Sequence, residues 1–206
     1  VFTPLAVQNR VSPRLVFDRQ DSPINPTRGY WLSAAASYIN ALDASSFSNQ
    51  NFVKFEVSAK AATAIRRRVV FAIFLRYGDS KSYEGVRLPD NERYKLGGTK
   101  GVRGFADDAI GQYNPDGTLK GEKIAGSFIT PVGGDTVFNG STEVRFPLLL
   151  KSGIWGAFFF DFGGLADRIE EYNSGSIRSS AGAGVRYLLG DQIPVRLDYG
   201  VLLGHR

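Results

Sequence analysis

Apolar and polar residues take turns along most of this chain. In "FVKFEVSAKAA" one side of an extended backbone would carry Val53, Phe55, Val57, Ala59 and Ala61, and the other Lys54, Glu56, Ser58 and Lys60. In "RVVFAIFLRYG" Val69, Phe71, Ile73, Leu75 and Tyr77 share a side, with Ala72 and Arg76 opposite. In "IPVRLDYGV" Ile193, Val195, Leu197, Tyr199 and Val201 oppose Arg196, Asp198 and Gly200. Successive strand side chains point to opposite faces, so each stretch predicts a strand with one apolar and one polar or small face. Eight such segments fall near residues 12–19, 29–40, 52–64, 68–78, 135–148, 153–164, 176–189 and 193–203. Turn signals such as "SPINPTRG", "NSGS" and "GDQIP" separate most of them. No helical period runs over a comparable length. The pattern predicts an all-β chain of long antiparallel strands, with no separate second domain.

Alternation alone leaves open which way the apolar face points. A β-sandwich or lipocalin-like barrel turns it inward to a core. A transmembrane barrel turns it outward to lipid and keeps a polar lumen. The opposite face here carries full charges: Lys54, Glu56, Lys60, Arg145, Asp161, Arg178, Arg186, Arg196 and Asp198. Tyr30, Tyr38 and Tyr77 fall near the ends of apolar faces, as an aromatic girdle requires. Predicted strands of ten or more residues exceed the usual soluble length of about five or six. These features favour the membrane barrel. The longest apolar run, Val69 to Leu75, falls far short of the roughly 20 residues a spanning helix needs.

Composition narrows the chemistry further. The 206 residues include no Cys and no Met, so there is neither a disulfide framework nor a thiolate site. The single His, at position 205, gives little basis for histidine catalysis. Fifteen Phe, nine Tyr and 24 Gly lean toward β structure. The net charge of +5 is spread along the chain, and Arg66-Arg67-Arg68 falls at a turn rather than in an aromatic-basic patch. That distribution argues against nucleic acid and points to lipid phosphates or an acidic partner. No cofactor or metal is expected. The missing initial Met and the lack of a leader pattern imply a processed or cropped chain.

One connection departs from the meander. Between roughly 79 and 134 no period is visible, and connections this long in a compact domain are either functional or disordered. In its middle lies "YKLGGTKGVRGFADDAIG", with Arg103 between glycines. A surface arginine would simply be solvated. An arginine folded into the lumen would need a carboxylate, because an unpaired desolvated charge is costly. Glu143 in "STEVRFPL" and Asp161 in "FFFDFGG" both fall on the charged face, and Phe160 and Phe162 must point away from Asp161. A guanidinium can fork across one carboxylate or bridge two. Gly98, Gly101 and Gly104 would let the loop backbone approach the wall, where Gly163 and Gly164 leave room.

These motifs resemble those of the BamA-like outer-membrane assembly and secretion barrels. "GGTKGVRGF" is similar to that family's loop-six motif, placing Val102, Arg103, Gly104 and Phe105 in a loop-six latch. "FFFDFGGLAD" resembles its F-x-D-x-G strand motif, here Phe159, Asp161 and Gly163. "GGDTVFNGSTEVRFPL" resembles the following-loop strand whose acidic residue falls on Glu143. "SIRSSAGAGVRYLLGDQIPVRLDYG" and "SPRLVFDRQDSPINPTRGYWLSA" resemble two later strands and an earlier hairpin. The resemblance implies a barrel of about sixteen strands, of which residues 1–206 are the C-terminal part and supply roughly half. POTRA domains, the first strands and an aromatic-terminated last strand would then lie outside this chain, which ends at "LLGHR". The seam between first and last strands, which the family is thought to open laterally, would lie outside it too.

The resemblance further implies a bacterial outer-membrane protein that inserts and folds other β-barrel proteins, without being an enzyme. Its partners would be unfolded outer-membrane protein clients, accessory lipoproteins of an assembly complex, and lipid and lipopolysaccharide. A two-partner secretion transporter or a translocation-and-assembly-module barrel shares the motifs. A patatin-fused barrel would need a nucleophile motif; G-x-S-x-G is absent, and "SAGAG" fits strand glycine packing. A diffusion porin would use the loop to constrict flow without an arginine latch. Remaining motifs are bland. Asn139-Gly140-Ser141 is a sequon in a strand, Asn114–Gly117 a turn, and Glu170-Glu171 a loop pair with no pocket implied. Asp107, Asp108 and Asp116 could form a calcium turn only if the geometry converged.

Overall fold

The alternation seen in the sequence becomes a single antiparallel wall. The computed structural model describes residues 7–43, 48–66, 68–83, 88–112, 120–124, 128–149, 153–172, 176–189 and 193–204. Strands β1 (Val7–Val11) and β2 (Arg14–Asp18) lie end to end along β3 (Gly29–Asp43), with Val11 facing Tyr38 and Arg14 facing Ala35. Pro13 makes the break: it has no N–H for the ladder, although its carbonyl accepts from the Ala36 amide at 3.1 Å. The first strand position therefore begins at Val7, not near residue 12, and is split.

From β3 the wall proceeds through β4 (Ser48–Arg66), β5 (Val69–Ser82), β8 (Thr136–Leu149), β9 (Ile154–Ala166), β10 (Arg178–Leu189) and β11 (Ile193–Leu203). Each pairs antiparallel with the next, so the long connection is an insertion into the β5–β8 hairpin. Strand positions β1/β2 and β11 form the two edges. Most wall strands run 11 to 19 residues, long enough to cross a bilayer at the usual tilt.

Burial is inverted relative to a soluble barrel. Outward-facing Phe158, Leu197 and Tyr199 are 59%, 75% and 76% exposed, while Asn139, Asp161 and Ser180 on the inner face are 0% exposed. Tyr30 and Tyr38 are also exposed on the outer face. Phe138, Phe160 and Phe162 pack along the outside, with ring centroids 5.6 Å and 6.0 Å apart. Apolar atoms thus face outward and charges inward, the arrangement a lipid environment selects.

Two expectations about the insertion need correcting. It is not free of regular structure: β5 runs on to Ser82, and a hairpin of β6 (Gly121–Ile124) and β7 (Phe128–Pro131) forms inside it. Isolated bridges join Tyr94 to Gly134 and Leu96 to Ile110. Four-residue strands and single bridges are made by backbone alone and leave no side-chain period to detect. Nor is the lumen charged throughout. Tyr94, Leu96, Val102 and Ile110 bury an apolar cluster against Val137 of β8 and Leu165 of β9. Leu88 does the same against Ile39 and Phe52.

Candidate functional site

The insertion folds back so that its middle lies against the inner wall. At its neck the Tyr94 and Gly134 backbones exchange hydrogen bonds of 2.8 and 3.0 Å. Further in, the Ile110 amide donates to the Leu96 carbonyl, and the Gly98 amide to the Phe105 carbonyl, closing the tip. Gly97, Gly98 and Gly104 adopt positive φ. Gly98 and Gly101 serve the loop's own turn: a Cβ on either would strike Asp107 or Gly97, not the wall. Gly104 alone of the three makes the expected close approach. Its added Cβ would lie 3.1 Å from the Gly200 carbonyl, and one on Gly200 would lie 3.1 Å from Gly104. Gly163 faces Leu96 and so accommodates the loop, whereas Gly164 faces Tyr172 and Ser176 and leaves the loop no room.

Val102 and Arg103 then part company. Val102 enters the apolar cluster, and Phe105 packs at its margin. Arg103 turns to the charged wall. Its Nε donates to Asp161 Oδ2 at 2.7 Å and its Nη2 to Asp161 Oδ1 at 2.8 Å, a bidentate fork. Its own amide also donates to Asp161, at 3.1 Å. Nη1 donates to Glu143 Oε2 at 2.9 Å and Nη2 to Ser141 Oγ at 3.0 Å. Asp198 of β11 receives a longer contact of 3.4 Å. The guanidinium carbon stands 3.6 Å from the Phe159 ring centroid, so Phe159 forms its floor. Burial alone would lower the Arg103 pKa, but Asp161 and then Glu143 outweigh it and hold it above the ordinary arginine value. The guanidinium stays charged.

Every residue of the sequence-derived latch converges here: Val102, Arg103, Gly104 and Phe105 from the loop, Glu143, Phe159, Asp161 and Gly163 from the wall. The sequence reading missed several others. Arg186 of β10 donates to Glu143 at 2.8 Å and pairs with Asp198, while Arg196 stands 3.5 Å from Asp198. The alternation put these side chains on the charged face, but only the register brings them together. Inward glycines make the space. A Cβ on Gly182 would strike Phe159, and one on Gly184 would strike Asp198 and Arg186. "SAGAG" is indeed glycine packing, and it packs the latch.

A second fastening lies at the neck, with no sequence forerunner. Arg93, with its side chain 1% exposed, pairs with Asp135 at 3.1 Å and with Asp167 just beyond β9. Gln112 donates to the same Asp167 at 2.6 Å. Adjacent Glu92 reaches the other way, to Arg10 of β1 at 2.5 Å and Lys54 of β4 at 3.6 Å. Tyr94 donates its hydroxyl to the Phe55 carbonyl at 3.1 Å, and burial raises its pKa.

Among the described residues the remaining motifs assemble nothing further. Asn139 of the sequon is wholly buried in β8. Asp108 is 3.9 Å from Lys95, while Asp116 and the Asn114–Gly117 turn lie outside the described residues, as do Arg67 and His205. Glu170 and Glu171 sit in a short 3-10 turn after β9.

An antiparallel wall with an apolar outer face, and a long loop fastened against its charged inner face, is the architecture of a membrane β-barrel. Residues 6–206 match the Omp85 superfamily domain, and the chain belongs to that superfamily. Its fold is similar to the crystal structure of BamA from Haemophilus ducreyi lacking POTRA domains 1-3, with a TM-score of 0.71 and 15% sequence identity. The match covers 96% of this chain and 39% of that one, so the chain spans about two-fifths of the solved protein. At that identity the likeness is one of fold.

Proposed function

We propose that this chain is the C-terminal part of the barrel of a bacterial outer-membrane assembly factor, one that inserts and folds client β-barrel proteins, with POTRA domains preceding the barrel. The observation that carries the reading is the Arg103 fork on Asp161, which holds a long loop inside a wall whose outer face is apolar. Work of this kind needs no covalent step. Free energy is released when client strands bury their apolar faces in lipid and pair their edges. The wall offers two such edges, at β1/β2 and β11, where the rest of the barrel or an incoming strand would pair. Unfolded clients, accessory lipoproteins, and lipid with lipopolysaccharide are the partners this activity calls for. A diffusion porin fits less well, since the loop fills part of the lumen and is fastened there.

The test is depletion of the full-length protein in its own cells, followed by complementation. The proposal expects several unrelated outer-membrane barrels to fail to fold, with rescue by the wild type and poor rescue by Arg103→Ala. Loss of one exported protein, with porin folding untouched, would replace this reading with a dedicated secretion transporter.

A further inference from the structure

The turn between β2 and β3 is built to enter the lumen. Gly29 pairs with Ala62, Ala62 with Ala72, and Ala72 with Glu143. The turn therefore leaves the wall on the same hydrogen-bond ladder as the carboxylate that Arg103 uses, while β4 continues beyond it to Arg66. Gly29, at φ +103, permits the reversal; a Cβ there would lie 2.1 Å from the Arg19 carbonyl. Within the turn, Asp21 accepts from the Thr27 hydroxyl at 2.5 Å and from the Thr27 and Arg28 amides at 2.9 and 3.1 Å. The turn is thus a preformed body rather than a slack linker.

The wall grips that body through Arg145. This side chain, on the inner face of β8, donates to the Asn25 side chain and, at 2.6 Å, to the Pro26 carbonyl. It is 8% exposed, and its Nε lies 3.8 Å from Glu143 Oε1. The other oxygen of Glu143 receives Arg103. One carboxylate therefore stands between the arginine that holds the turn and the arginine that holds the loop. Between the two segments lies a cavity of about 380 Å³, lined by Gln20 and Pro26 from the turn and by Thr99, Lys100 and Arg103 from the loop tip.

We propose that the 19–28 turn is a second lumenal plug, and that Arg145 and Glu143 interlock it with the loop latch so that neither segment leaves its seat alone. Sequence spacing gives no hint of this, because the turn and Arg145 are more than a hundred residues apart and meet only through the register. The proposal rests on the latch reading above and extends it to the opposite end of the barrel. A signal arriving at the turn would reach the loop through one shared carboxylate.

This chain has no cysteine, so single reporters can be placed cleanly once any cysteine elsewhere in the full-length protein is replaced by serine. Gln20→Cys and Thr99→Cys, introduced separately into the full-length protein in lipid, report the turn side and the loop side of the cavity by their thiol-labelling rates. Arg145→Gln is expected to raise both rates about tenfold or more, the scale of losing hydrogen bonds from a charged group. Asn25→Ala, which leaves the wall intact, should raise both by less and carries the same test should Arg145→Gln not fold. Heat-modifiable migration checks that the barrel persists. A rise at Gln20→Cys alone, or at neither reporter, would overturn the interlock. The latch has its own control: Arg103→Ala must speed labelling at Thr99→Cys, and if it does not, the latch reading is what fails.

Discussion

At the tip of the 79–134 insertion one arginine serves several carboxylates between β8 and β11; at its neck two adjacent residues of opposite charge reach to different stretches of the same wall. Arg103 gathers Asp161, Glu143 and Asp198 from β9, β8 and β11. Glu92 binds Arg10 and Lys54 on the β1–β4 side, while Arg93 binds Asp135 and Asp167 on the β8–β9 side. The tip concentrates its charges out of water: the side chains of Arg103 and Asp161 are 6% and 1% exposed. The neck ends on groups that still touch solvent, since Arg10 and Asp167 are 44% and 42% exposed. A concentrated site fails all at once when its hub is removed. A distributed site loses one arm and lets the abandoned partner hydrate. The tip is built for commitment and the neck for alignment.

The largest difference should appear on breaking the hub. Arg103→Ala strands Asp161 in a dry site, where losing one partner of a buried pair costs about 3–5 kcal/mol. Limited proteolysis in lipid should then cut within Val102–Phe105 while the neck stays protected. Arg103→Lys should recover little of that protection, because a point charge cannot reproduce the fork on Asp161 or stack as well on Phe159. Equal protection in Arg103→Lys and wild type would mean that charge alone holds the tip.

Smaller effects should follow at the neck, and they should be unequal. Arg93→Ala removes the deeply buried arm and should cost about 1–3 kcal/mol, read as a lower melting temperature in detergent. Glu92→Gln keeps a hydrogen-bonding side chain near Arg10 and Lys54, and Arg10 can hydrate, so it should cost about 1 kcal/mol. Were the two equal, or their order reversed, retention of a hydrogen-bonding side chain would not be what spares the Glu92 arm.

The smallest effect is confined to acid. Asp21 is held at about 2 rather than 3.8, chiefly by the Thr27 hydroxyl, with burial opposing and the Arg28 and Thr27 amides adding to the depression. A depressed carboxylate contributes stability that is complete above its unfolded value and lost as pH falls through its folded one. The protection factors at Thr27 and Arg28, taken against the intrinsic exchange rate at each pH, should therefore be steady above pH 4 and fall between roughly 4 and 2. Loss of protection already at pH 6 would implicate another group.

Much of the wall was legible because strand alternation is strict. Lys54, Glu56, Arg145, Asp161, Arg186 and Asp198 all fell on one face by counting in twos, and the structure turns that face inward. Arg103, Glu143 and Asp161 could be matched because a cation folded into the lumen calls for a carboxylate. The neck was not legible. Glu92 and Arg93 lie in an aperiodic stretch, where no rule says which way adjacent side chains point. Arg145 gripping Pro26 was hidden for another reason: a backbone carbonyl is an acceptor at every residue and so carries no sequence mark. Pro13 splitting the first strand could have been anticipated, since proline in a strand marks an edge or a break.

Hydrogen exchange across Val102–Phe105, followed by mass spectrometry on the full-length protein in lipid, tests the central claim most directly. The Arg103 amide donates to a carboxylate that water does not reach. Strong protection of that peptide, abolished by Asp161→Ala with the barrel still folded, is the predicted result. Exchange at the rate of an unstructured chain in the wild type would contradict it.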